Sequence, residues 1–185
     1  LYYFNSKLIL FRNKKLYFST ELLKKYFSKN NKNLEFNFIL NSIEFKKFEK
    51  KNIDFAIYFR KYDTKSNSFF KGLIEYLNQS NYKFVYFGDK CENIEENYLG
   101  LLSNEKVQNI LSKTKYSFIS EENFYSIYSI ECISNHVNLF YNKQDIDLKI
   151  FKSKNKFIDI LFDDFKNSII KINNTYENYK EDHHQ

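Results

Sequence analysis

Apolar and polar residues follow two rhythms along this chain, one of strand length and one of helical spacing. Lys7 to Arg12 reads as a strand. Ser19 to Phe27 then has helical spacing, with Ser19 or Thr20 in the capping position. Leu34 to Leu40 alternates weakly and predicts a second strand, ending at Asn41 and Ser42. From Ile53 onward the rhythm sharpens. Ile53 to Phe59 is strand-like, and Asn67 to Asn78 gathers Phe69, Phe70, Leu73, Ile74 and Leu77 on one helical face. Tyr82 to Phe87 predicts a strand closed by Gly88 and Asp89, and Ser103 opens a helix that runs to Ser112. A short strand over Tyr116 to Ile119, a helix over Ser126 to Ser134 and a strand over Val137 to Tyr141 follow. A helix is expected from about Phe157 to Ile172, and 173–185 reads as a polar, frayed tail.

Strands alternating with helices predict an α/β fold, a Rossmann-like parallel sheet with helices on both faces. Ligands of such sheets sit at the carboxyl ends of the strands. No internal repeat or Pro/Gly/Ser linker divides the chain.

Composition changes the picture in three ways. At 185 residues the chain suits one domain with a substantial core. Its 21 Phe and 16 Tyr stand beside 3 Gly and no Pro, and Arg occurs only at Arg12 and Arg60. Residues with AT-rich codons are in excess. The net charge of +6 therefore reads as a Lys-rich solvated surface, not a nucleic-acid footprint, while each Gly and Arg gains meaning. The apolar runs are strand-sized, with neither a membrane span nor a signal peptide. A start at Leu1 and the absence of Met predict a fragment or a processed product. Cys91 and Cys132 form no CxxC pair and are expected to be reduced and partly buried, as in a cytoplasmic protein.

The candidate chemistry lies at strand ends. Arg60 and Lys65 follow the Ile53 to Phe59 strand, five residues apart. Gly88 closes the next strand and Gly100 follows Tyr98 and Leu99. Glu122 and Asn123 precede a loop through Tyr125 to Ser126, and Glu131 falls inside an apolar, small-residue helix. His136 reads as structural. Asp145 and Asp147 imitate a DxD metal signature but come after the last sheet strand, and His183 and His184 sit in the tail, so no metal site is expected. Phosphate-loop, HExxH and GxSxG motifs are absent from the sequence.

In order and spacing this series resembles the C-terminal, donor-binding domain of GT-B-fold glycosyltransferases of the group-1, retaining type, from about Leu40 to Tyr141. It departs from that family at Phe59, Ser126 and His136, where the family has Gly, at Asn138, where it has Pro, and at Asn123, where the first acidic residue belongs. The resemblance implies residues 1–40 as a remnant of, or link to, an acceptor-side domain and 41–172 as the nucleotide-sugar domain. It implies a hexosyltransferase type of enzyme in polysaccharide biosynthesis, transferring from a nucleoside diphosphate sugar to a glycan or lipid-linked acceptor without a cofactor. Arg60 and Lys65 would stabilise the leaving diphosphate. Glu131 would bind the ribose hydroxyls, Glu122 or Asn123 the sugar, and Tyr125, Ser126 and Gly88 would line the donor site. The expected partners are that donor, the acceptor and a membrane surface touched peripherally. The alternatives are a basic, aromatic nucleic-acid-binding module and a catalytically inactive scaffold of the same fold.

Overall fold

A computed structural model describes residues 16–18, 36–38, 44–61, 65–92, 94–119, 127–142 and 156–182. The chain divides into two compact units, 1–42 and 43–185. In the first, β1 (Leu16–Phe18) pairs in parallel with β2 (Phe36–Phe38). The strand expected over 34–40 contains β2, β1 was not anticipated, and the elements expected at 7–12 and 19–27 lie outside the described residues.

The second unit contains β3 (Ile53–Phe59), α1 (Lys65–Asn78), β4 (Phe84–Gly88), α2 (Asn104–Ser112), β5 (Thr114–Ile119), α3 (Ile127–Ser134), β6 (Asn138–Asn142), β7 (Phe157–Ile160) and α4 (Phe165–Asp182). Its five strands are all parallel, in the order β4-β3-β5-β6-β7. Beyond β4, Tyr98 bridges in parallel to Tyr86. Counting that strip as a strand gives the order 3-2-1-4-5-6 of the dinucleotide-binding folds. The architecture is the Rossmann-like α/β sheet that the strand-helix rhythm predicts.

Central β3 is buried along nearly its whole length, which is why its sequence shows an apolar run instead of strict alternation. Its odd-numbered side chains from Phe55 on, Phe55, Ile57 and Phe59, join α1 and α4 in one core cluster. Ala56 and Tyr58 face the opposite cluster, with α2 and α3. Aromatic side chains carry the first layer. Phe118 stacks on Phe140 at 5.0 Å between centroids, and Phe69 on Phe162 at 4.3 Å. Gly72 admits the ring of Phe165 against α1.

The C-terminal region corrects the expected helix over 157–172. Phe157–Ile160 is the edge strand, and the helix begins only at Phe165. Asp164 starts it, its carboxylate accepting from the Asn167 N–H at 3.2 Å. The period-two placement of Ile158, Ile160 and Phe162 was the missed strand signal. The stretch read as a frayed tail is the second half of α4, carried through to Asp182. Tyr176 is buried in the core, and the Asn173 side-chain oxygen accepts from the hydroxyls of Tyr76 (3.0 Å) and Tyr82 (2.8 Å).

Candidate ligand site at the carboxyl edge of the sheet

The chain leaves β3 toward β4 on one side and returns to β5 on the other, so the topological switch point lies between β3 and β5. The residues that close β3 and β4 are tightly fixed. Gly88 pairs with Phe59 across the two strands and has φ +100°. A Cβ there would stand 2.3 Å from the Phe59 carbonyl oxygen and 3.0 Å from the Tyr58 ring. Only glycine fits, and the close approach it permits is to the protein's own backbone. Asp89 completes the corner. Its N–H donates to the Phe59 oxygen at 2.8 Å, and its carboxylate accepts from the Lys61 N–H at 2.7 Å. The turn that carries Arg60 is thus held on both sides.

Arg60 is exposed, with its guanidinium 6.0 Å from the centroid of the Tyr58 ring. Tyr58 in turn packs on Phe87 at 5.6 Å and on Tyr128 of α3 at 5.3 Å. The Tyr128 hydroxyl meets the Ser117 hydroxyl at 2.7 Å, and Ser117 donates to the Ala56 oxygen at 2.7 Å. Burial pushes the Tyr128 phenol well above its ordinary range, with Cys132 adding to the shift. The same burial lifts the Cys132 thiol to about 12, and the Cys91 thiol is also raised by burial. Both cysteines are free and buried, so neither is an activated nucleophile.

Glu131 lies half-buried one turn beyond Tyr128 on α3. The Asn104 side-chain amide donates to its carboxylate from the first turn of α2, just after the Ser103 cap. Leu101 and Ile127, which is the first residue of α3, are exposed. Arg60, Gly88 and Glu131 therefore stand on elements of one edge, and Arg60 reaches α3 through the Tyr58–Tyr128 contact. Among the described residues no direct contact joins Arg60 to Glu131. Lys65 opens α1, and its side chain lies outside the described residues, as do Glu122, Asn123, Tyr125 and Ser126. Asp145, Asp147, His183 and His184 also fall outside them.

His136 adopts a left-handed conformation, φ +57°. It ends α3 in a Schellman turn, with Val137 N–H donating to the Cys132 oxygen and His136 N–H to the Ile133 oxygen. Its ring stacks on Phe45 at 5.5 Å, and its Nε2 bonds the Lys46 carbonyl at 2.8 Å. The structural reading of His136 holds.

Sequence reasoning gave Tyr58 and Asn104 no role and read Asp89 only as the close of a strand. Their signals were present: an acceptor directly after a strand-ending glycine, an aromatic two residues before the arginine on the same strand face, and an amide beside the helix cap.

No protein-family model matches the chain, and no curated protein matches it at a significant level. Among the described residues no group of three or more His, Cys, Asp or Glu is placed to hold a metal ion. No helix among them is long and apolar enough to cross a membrane.

Proposed function

We propose that residues 43–185 form the donor-binding domain of a glycosyltransferase, holding a nucleoside diphosphate sugar for transfer to a glycan or lipid-linked acceptor. The observation that supports this is that Arg60 directly follows β3 and Glu131 lies on α3, which follows β5, the two strands that flank the switch point of a 3-2-1-4-5-6 sheet. A carboxylate accepts from two ribose hydroxyls, and a guanidinium offers paired donors to a diphosphate. Arg60 would stabilise the charge that develops as the glycosidic bond breaks, with Lys65 at the start of α1 as the second cation. The turn fixed by Gly88 and Asp89 would hold Arg60 in advance of the reaction. Glu122 or Asn123 would orient the sugar, with Tyr125 and Ser126 beside the diphosphate. Residues 1–42 would then lead from an acceptor-side domain. The reaction proposed is of the hexosyl-transfer type, in the cytoplasm, with at most peripheral contact to a membrane.

Calorimetric titration with UDP, GDP and CDP, with and without EDTA, tests this on the wild type and on Glu131→Ala. Metal-independent binding of one nucleotide, weakened at least about tenfold by Glu131→Ala, is expected. A folded protein that binds none of the three refutes the donor reading.

One observation favours the nucleic-acid alternative. Phe45 and Phe48 are exposed beside the exposed Lys46, Lys47 and Lys50. They are the only exposed aromatic side chains among the described residues, however, and the other described rings are buried or partly so. The aromatic surplus serves the core. Fluorescence anisotropy with a labelled single-stranded oligonucleotide separates the readings: salt-sensitive micromolar binding lost in Phe48→Ala would favour the alternative.

A further inference from the structure

We infer that Asn104 is a positioning residue for Glu131, holding one carboxylate oxygen with its amide so that the remaining acceptor sites face a ligand's ribose hydroxyls. This rests on the donor-site reading above. Helices α2 and α3 meet through two polar rungs, each joining residues 27 positions apart: Asn104 to Glu131, and one turn further on, Gln108 to Asn135. The two rungs differ in kind. In the second, Asn135 is 2% exposed, and its amide also donates to the Glu131 carbonyl at 2.8 Å. Gln108 accepts there from the Lys46 ammonium at 2.6 Å. That rung ties the helices together by itself. The first joins the opening residue of α2 to the middle of α3, and Asn104 is exposed.

The choice of donor is informative. Among the described residues Glu131 has no cationic partner; a neutral amide holds it instead. An amide fixes the carboxylate's orientation while leaving its charge and most of its lone pairs available. A lysine or arginine in its place would meet the carboxylate with a full opposite charge. A carboxylate oriented by a neutral amide is suited to accept from a vicinal diol.

The test compares UDP, GDP and CDP with their 2′-deoxy counterparts by calorimetry, on the full chain, in the wild type, Asn104→Ala and Gln108→Ala. Thermal melting of all three proteins runs alongside. The wild type is expected to prefer the ribonucleotide. Asn104→Ala should weaken that ribonucleotide roughly fivefold to tenfold and bring the ribo-to-deoxy ratio near one, with little change in melting. Gln108→Ala should lower the melting temperature and keep the ratio. Asn104→Ala that keeps the wild-type preference overturns the inference and leaves the donor reading standing. So does a collapsed ratio in Gln108→Ala, which would mark general loosening of the helix pair, or a wild type that binds nucleotide without ribose preference. A wild type that binds no nucleotide overturns both.

Discussion

Replacing Gly88 with alanine asks how closely the ends of β3 and β4 are packed, and Gly100 supplies the control. Both glycines have positive φ, +100° and +74°. At Gly100 a Cβ meets nothing within 4 Å, so Gly100→Ala carries only the backbone penalty, about 1 kcal/mol after the reduced entropy of the unfolded chain is set against it. At Gly88 the same penalty applies, and the new carbon lies 2.3 Å from the Phe59 carbonyl oxygen. That oxygen cannot withdraw freely, because it accepts the Asp89 N–H at 2.8 Å. Moving it sacrifices this hydrogen bond, worth about 1 kcal/mol, and strains the packing of Tyr58, worth about another 1 to 2. Gly88→Ala should therefore cost about 3 to 4 kcal/mol, a difference of about 2 to 3 from the control. Urea unfolding measures it, with unchanged m-values confirming that only stability has moved. In melting temperature the expected loss is about 6 to 16 °C for Gly88→Ala against about 2 to 4 °C for Gly100→Ala. Equal losses in the two variants would refute the close-approach reasoning.

Further tests follow from the opposite edge of the sheet and from the core. Lys51 donates to the Leu111 oxygen at 3.2 Å and the Asn135 oxygen at 2.6 Å, bridging the carboxyl ends of α2 and α3. Burial pulls its ammonium down to about 8, against the opposing attraction of Cys132 and Glu49. The unfolded chain then binds more protons than the native one between pH 8 and the ordinary lysine value, so the Lys51 contribution rises with pH across that window. Wild-type melting should gain on Lys51→Met from pH 8 to 10, and parallel profiles would contradict the assignment. Tyr82 and Tyr176 titrate the other way: burial lifts both to about 12, so their contribution is complete below the ordinary tyrosine value and is lost as pH climbs toward 12. The Asp54 carboxylate, 8% exposed, takes the Lys115 ammonium at 2.7 Å and the Tyr176 hydroxyl at 3.2 Å. Lys115→Met should cost about 3 kcal/mol in urea unfolding, with much of it recovered in Lys115→Met/Asp54→Asn; no recovery would argue against an uncompensated charge as the cause. Finally, neither cysteine should react with a thiol reagent at neutral pH until the protein unfolds, and prompt labelling of the native chain would contradict the burial of Cys132.

The fold was legible because its helices carry clean amphipathic faces and its central strands are apolar runs. Phe69, Phe70, Leu73, Ile74 and Leu77 form one buried face of α1, as their spacing predicts. Where the reading slipped, tertiary packing overrode composition. The 173–182 stretch looks polar in sequence, yet Tyr176 and Asn173 anchor it through partners on α1 and β3 and beside β4 that no local window contains. The strand at Phe157–Ile160 has four residues, too few for period two to outweigh the helical spacing that follows. At the site, Arg60, Gly88 and Glu131 could be picked out by rarity and context. What holds them could not: Asp89 acts through backbone groups 28 and 30 residues away, and Asn104 meets Glu131 across 27.

The strip bridged at Tyr98 has a consequence for solubility. Phe84 to Phe87 forms an aromatic, β-prone stretch whose outer side would otherwise be a bare ladder of donors and acceptors. Three backbone bonds shield it, from Tyr86 to Asn97, Leu99 to Tyr86 and Gly88 to Gly100. They are locked by the stacked Tyr86 and Tyr98 rings and by the hydroxyls of Tyr98 on Gly88 and of Tyr86 on Ile94. So few bonds make local detachment of the strip easy, and the two tyrosines act as its latch. Tyr98→Ala would uncover a sticky edge, turning a local opening into a route to aggregation.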